Sequence, residues 1–313
     1  MSFRRVPLAA ALALAVLGAA PAPAGQGCGG AGCIQIGTFN IENFGNHERH
    51  APRSEAQIEE IAAVISDRLG LEAAALEEID ARSEDFARLR ARLEGRGYRL
   101  AAGTSGGTQN VVLLWNTSAV QLIEHGGEGV AELPVPAELD LGGGCADDLR
   151  RPLAGHFRAG SFDFVLVGLH LKSQIPPRGQ PEECADRIRA EQSRLVAAAA
   201  ADLARRLGED DIVIVGDLNE VPGQTSMRPF ALAGFDDLSR PLHRAPESIA
   251  VSYLKAPYRT VIDHVLVRPA ATREWVPQST VIYPAADDPR WVREISDHAP
   301  LYTSFRTDRD LDR

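Results

Sequence analysis

Two apolar runs that stop abruptly at polar side chains constrain this chain most. Ile212-Val213-Ile214-Val215 is continuously β-branched, and Phe162–Leu171 is apolar along most of its length, notably at Phe164-Val165-Leu166-Val167. Runs without alternation read as strands buried on both faces, which requires a sheet covered on both sides. The first runs directly into Gly216-Asp217-Leu218-Asn219, and near the end of the second stands His170.

The remaining pattern supplies partners for these strands. Ile34–Ile41 alternates as a strand does and ends in a turn around Asn43–Asn46. Ser54 is placed to cap a helix over Gln57–Leu69 that Gly70 stops, and Asp85–Leu93 has helical spacing ending at Gly95. Leu71–Ile79, between them, is ambiguous by period alone. Asn110–Trp115 and Val120–Ile123 read as an adjacent strand pair joined through Asn116-Thr117-Ser118, and a second pair flanks Gly160. Glu124–Arg150 is a Gly- and Pro-rich excursion without sustained period, a length of loop that often carries function. Ala185–Leu207 is the longest helix expected, and Thr260–Val267 and Val281–Tyr283 are later strands. Strand-to-helix alternation fades after Asn219, which predicts an α/β fold of mixed sheets with helices outside.

The N-terminus carries Arg4 and Arg5, an apolar run Leu8–Ala20, and the small-residue pattern Ala22-Pro23-Ala24. This reads as a secretory signal over residues 1–24 cleaved near Ala24. The apolar run is shorter than the roughly 20 residues needed to span a bilayer. A soluble domain over residues 25–313, secreted or periplasmic, is expected to follow. Its four cysteines allow three pairings, of which Cys28–Cys33 with Cys145–Cys184 is the one expected. A four-thiolate zinc site is disfavoured, because no His lies close to any of the four.

Charge limits the partners. The chain has 33 Lys+Arg against 43 Asp+Glu, a net charge of −10, and loss of Arg4 and Arg5 makes it more acidic. A protein that held nucleic acid by charge alone would be basic. Bound cations can instead supply positive charge at a site.

The strand ends collect Asn40, Glu42, Glu78, His170, Asp217, Asn219, Asp263, Asp297 and His298. Open sheets place ligands outside strand ends. Phosphodiester hydrolysis needs carboxylate oxygens for a hard cation, a base for water and donors for phosphoryl oxygens, and this set contains all three. Singly, each has a plain structural reading: Asn40 as a turn former, Glu77 and Glu78 as the acidic start of a helix, Asp217 as a turn cap. Taken together they would require six coincidences.

The ordered motifs TFNIEN (Thr38–Asn43), LEEI (Leu76–Ile79), GLHLKS (Gly168–Ser173), GDLNEVP (Gly216–Pro222), IDHVLV (Ile262–Val267) and SDHAPL (Ser296–Leu301) resemble the DNase I-like endonuclease/exonuclease/phosphatase superfamily over Ile34–Phe305. The resemblance implies a four-layer sandwich of two packed mixed β-sheets flanked by helices, with a metal site at one edge. By the same resemblance Glu78 is the principal metal carboxylate, Asn40 and Asp297 lie close to the ion, and Glu42 is a second-site ligand. Mg2+ is the expected ion, with Mn2+ as its substitute. His298 resembles the general base oriented by Asp263, Asp217 aligns water or leaving group, and Asn219 and His170 donate to phosphoryl oxygens, His170 as an acid for the leaving oxygen. Glu77 stands where the family commonly has Gln, and Trp115 where many relatives carry Tyr. His264 is expected on the opposite sheet face, and Arg150, Arg151 and Lys172 read more simply as solvated surface cations than as contacts to substrate phosphates.

The expected function is a secreted metal-dependent phosphodiesterase, an endonuclease on DNA or RNA. A monomer is expected, with no protein partner and no stable membrane association. A sphingomyelinase-like phospholipase would want aromatic loops, yet aromatics are 6% of residues. An inositol-phosphate phosphatase would want a dense basic pocket. A silent binding module should lack a ligand or base, and none of Glu78, Asp217, Asn219, Asp263 or His298 is missing.

Overall fold

The structure is a computed structural model describing residues 32–244 and 250–311. The expected signal segment and Cys28 lie outside the described residues. The strands in chain order are β1 Cys33–Phe44, β2 Ala73–Ile79, β3 Tyr98–Ala102, β4 Asn110–Asn116, β5 Gln121–Ile123, β6 Ala131–Glu132, β7 Glu138–Asp140, β8 Ala146–Asp148, β9 Leu153–Ala159, β10 Phe162–His170, β11 Ile212–Asp217, β12 Asp236–Asp237, β13 Asp263–Val267, β14 Val281–Ile282 and β15 Leu301–Arg306.

They form two mixed sheets. The first runs β14-β15-β1-β2-β4-β3 and the second β12-β13-β11-β10-β9-β5, with β6 also on β9. Each sheet holds one central parallel pair, β1 with β2 and β10 with β11. The antiparallel neighbours β15 and β13 then bring their starting ends to the edge where those pairs finish.

Period-two alternation explains why β10 and β11 read as apolar throughout. Phe164, Leu166, Val213 and Val215 enter the core between the sheets. Their neighbours Val165, Val167, Ile212 and Ile214 pack outward against Val196, Ala197, Ala200 and Ala204 of the long helix Glu183–Leu207. The alanine run of that helix therefore gives a close-approach face as well as propensity. Helices Glu55–Ala63 and Glu84–Glu94 add Ile58, Ile61, Phe86 and Leu89 to the core of the first sheet. Ser54 caps the former in a capping box with Gln57. Gly208, at φ 69°, stops the long helix in the left-handed conformation that lacks a Cβ penalty. No helix among the described residues is long and apolar enough to cross a membrane.

Three sequence expectations change. The ambiguous stretch Leu71–Ile79 resolves as strand from Ala73 to Ile79, β2. Asn110–Trp115 and Val120–Ile123 do not pair: β4 already has β2 and β3 on its two edges, so β5 crosses to the other sheet and pairs β9. The Glu124–Arg150 excursion carries the small hairpin β7–β8.

Cys145 and Cys184 are disulfide-bonded, with Cα atoms 5.1 Å apart, pinning that excursion to the start of the long helix. Closing a loop of 39 residues' separation restricts the unfolded chain, so Cys145→Ser with Cys184→Ser should lower stability by about 3–4 kcal/mol. The drop is read as a lower urea midpoint, with an m-value that rises as the uncrosslinked unfolded chain exposes more surface.

Candidate active site

A backbone irregularity decides which glutamate faces the cleft. Between Leu76 and Ile79 the β2–β4 register shifts, and Glu78 takes φ 60°. Of five non-glycine residues with positive φ among the described residues, Glu42, Asn43, Glu78 and Asn219 lie here. Such backbone conformations cost energy and cluster at functional sites. The bulge sends Glu77 inward, fully buried, accepting a hydrogen bond of 2.6 Å from Thr38 Oγ1. Burial, against the hydrogen bond from Thr38, pushes the Glu77 pKa well above its ordinary value and so disfavours its charged form. Glu78 lines the cleft, its Oε2 accepting from the Asn43 N–H at 2.9 Å.

The second sheet contributes the opposite wall. Gly216 has φ 154°, and a Cβ there would lie 1.9 Å from the Leu169 carbonyl oxygen. Only glycine lets β11 approach β10 this closely, which sets His170 beside Asp217. Asp217 Oδ1 accepts from the Asn219 N–H at 2.8 Å, and its Oδ2 accepts from Asn40 Nδ2 at 3.0 Å across the two sheets. Asn219 Nδ2 donates to the Leu171 carbonyl at 3.2 Å.

A second bond joins the sheets. His298 Nδ1 lies 2.8 Å from Asp263 Oδ2, while its Nε2 faces the cleft 3.7 Å from Asp217 Oδ2 and 3.9 Å from Asp297 Oδ1. The His298 backbone is fixed by Trp291 Nε1 donating to its carbonyl at 2.8 Å and by Ser296 Oγ accepting its N–H at 3.0 Å.

Electrostatics separate the two histidines. Burial opposes charge on His298, but Asp263 and then Asp217 outweigh it and hold the imidazole well above its ordinary value. Burial, followed by the charges of Arg150 and His298, pushes His170 well below its ordinary value. Burial and the charge of Asp263 raise Asp217 to about 7, against the pull of His298. His170 Nε2 sits 3.6 Å from Asp217 Oδ2 and 3.9 Å from Glu78 Oε1.

Six of the nine expected residues, Glu78, His170, Asp217, Asn219, Asp297 and His298, line one cleft of about 660 Å3, within the size range of small-ligand sites. Asn40 and Asp263 stand behind it as partners of Asp217 and His298. Glu42 lies to one side, paired with Lys255. Glu78 brings a hard carboxylate to the cleft, and Asp217, Asp263 and His298 offer ligand atoms within 4.8 Å of one another, donors of the kind a divalent cation takes. His264 faces away as expected, between Asp237, Ser239 and the Glu220 carbonyl.

Sequence patterning missed four groups. Arg150 and Lys172, expected as solvated cations, line the cleft. Arg150 is held by Gln109 Oε1 at 2.5 Å, and Lys172 pairs with Asp147 at 3.4 Å. Tyr253 packs edge-on to His298 at 5.2 Å. Lys255 pairs with Glu42 and, at 2.9 Å, with Asp297. Burial works against its charge, but Glu42 and Asp297 hold its pKa above the ordinary lysine value. Arg151 is the surface cation predicted, 3.8 Å from Glu132.

Comparison with known proteins agrees with this architecture. The chain is 24% identical over 176 residues to a Bos taurus endonuclease/exonuclease/phosphatase family domain-containing protein 1, covering 52% of this chain and 28% of that relative's length. The structure of D. rerio TDP2 complexed with single-strand DNA product superposes with a TM-score of 0.61 at 16% identity, covering 88% of this chain and 99% of that one. A Bacteroides thetaiotaomicron mannosyl-6-phosphatase gives 0.58 at 18% identity, covering 86% and 98%. The profile of the Endonuclease/Exonuclease/phosphatase family matches residues 37–298, the span that holds every group lining the cleft, and the chain belongs to that family of phosphoesterases.

Proposed function

We propose that this chain is an exported phosphodiesterase that hydrolyses nucleic acid at the Glu78–His298 cleft with the help of a divalent cation. The observation that carries the reading is the His298–Asp263 pair facing Asp217 and Glu78 across one cleft. Glu78 would hold the cation, while Asn40 bonds Asp217 behind the cleft and Asp297 is engaged by Lys255. Magnesium bound there would supply positive charge to the non-bridging phosphate oxygens.

This chain's own groups account for the rest. Asp263 fixes His298 with Nδ1 bonded and Nε2 turned to the cleft; the charge of a cation on Glu78 would oppose the upward pull of Asp263 and Asp217, so that the neutral imidazole takes a proton from an attacking water at Nε2 and Asp263 stabilises the imidazolium formed. Asp217 orients that water within reach of Nε2. His170, whose charged form burial and Arg150 disfavour, donates a hydrogen bond from Nε2 to a phosphoryl oxygen rather than delivering a proton. Asn219 holds the Asp217 carboxylate through its N–H. Arg150, Lys172 and Arg49 line the cleft, and Tyr258 and Ile175 stand exposed at its rim. Local cations and apolar surface thus meet a phosphodiester backbone and its bases on a chain that is acidic elsewhere.

The test is cleavage of supercoiled plasmid, single-stranded DNA and RNA by the purified chain in Mg2+ and in EDTA. Nicking or digestion that EDTA abolishes is the expected result. A folded chain that leaves all three intact overturns the nucleic-acid reading and directs attention to a phosphomonoester or lipid phosphodiester.

A further inference from the structure

Resting on the reading that Glu78 holds a divalent ion, the cations around the other acids divide the site in two. Glu42 and Asp297 converge on one ammonium: Lys255 Nζ bonds Glu42 Oε1 and lies 2.9 Å from Asp297 Oδ2. The buried Arg53 guanidinium adds a second positive charge on that side, its Nη2 donating to the Glu42 carbonyl at 3.4 Å. Glu78 differs. Among the described residues no lysine or arginine lies within ion-pair distance of it, although Arg150 shares the cleft, and His170 Nε2 stands 3.9 Å from its Oε1.

We propose that Lys255 is a built-in counter-ion that takes the place of a second divalent cation between Glu42 and Asp297, so that the site binds one ion, on Glu78. An ammonium can do this because it offers donors in several directions on a flexible stem, satisfying two carboxylates at once. A divalent ion entering the Glu42–Asp297 side would meet that fixed charge a few ångströms away, and like charges at such range repel strongly in a half-buried setting. Lys255 belongs to an irregular stretch just before β13, so the chain supplies this cation from outside the sheets.

Titration calorimetry with Mn2+ on the full mature chain, counting bound ions, tests this directly. Wild type and Lys255→Arg should bind one ion, and Lys255→Met should bind two. The Lys255 side chain is 43% exposed, so its truncation should leave the fold intact, which circular dichroism checks. Lys255→Gln provides a second neutral variant. Two ions in wild type, a result that needs no variant, would overturn the proposal, as would one ion in both neutral variants. No ion bound by wild type would overturn the metal reading of the site together with it.

Discussion

Replacing His298 by Ala should lower hydrolysis of a phosphodiester by about 10²–10⁴-fold in kcat/KM, the usual contribution of a positioned proton acceptor. The imidazole is 4% exposed and bonded on its far side to Asp263, so water cannot easily take its place. Asp263→Asn should act in the same direction, because an amide cannot stabilise the imidazolium as a carboxylate does. Both variants disturb a buried pair, and leaving one partner of such a pair alone is itself destabilising. Thermal melts must therefore show a folded protein at the assay temperature. With both variants folded, bis-p-nitrophenyl phosphate turnover within tenfold of wild type would remove His298 from the chemistry.

Glu78→Gln should weaken Mn2+ affinity by at least about 10²-fold and abolish turnover, while Glu77→Gln should leave both nearly unchanged. The two glutamates are sequence neighbours, and only their environments differ. Glu77 is fully buried against Thr38, where burial disfavours its charge, so that glutamine is a close replacement. Glu78 faces the cleft at the end of a strained bulge. Calorimetry and turnover on the two variants check the assignment, and equal losses in both would show that the bulge, rather than the carboxylate, is what matters.

What could be read in the sequence was whatever is local. The β-branched run Ile212–Val215, the Ser54 cap and the alanine-rich helix declared themselves through neighbours a few residues away. Tyr98–Ala102 and Leu301–Arg306 passed unnoticed as strands, because each is short and is stabilised by partners far along the chain, Asn116–Val112 and Cys33–Thr38. The choice of sheet for β5 was likewise non-local, decided by whether the edges of β4 were already filled. Eight of the nine candidate side chains lie at the cleft or directly behind it, since strand ends can be seen as stops in apolar runs. Lys255 and Arg150 could not be found this way. They sit in irregular stretches where neither period nor motif distinguishes a cleft cation from a solvated one.

The two bonds that cross between the sheets, Asn40 to Asp217 and His298 to Asp263, join positions 177 and 35 residues apart. Neither layer alone carries a working half. Ribosomal synthesis delivers residue 298 long after 78 and 217, and β15, which follows it, docks on β1, the first strand of the sandwich. On the proposed reading, the growing polypeptide would lack an assembled site until its last described strand closes against its first. If nucleic acid is the target, the cell that makes this protein is shielded by the order of assembly itself, before any question of export arises.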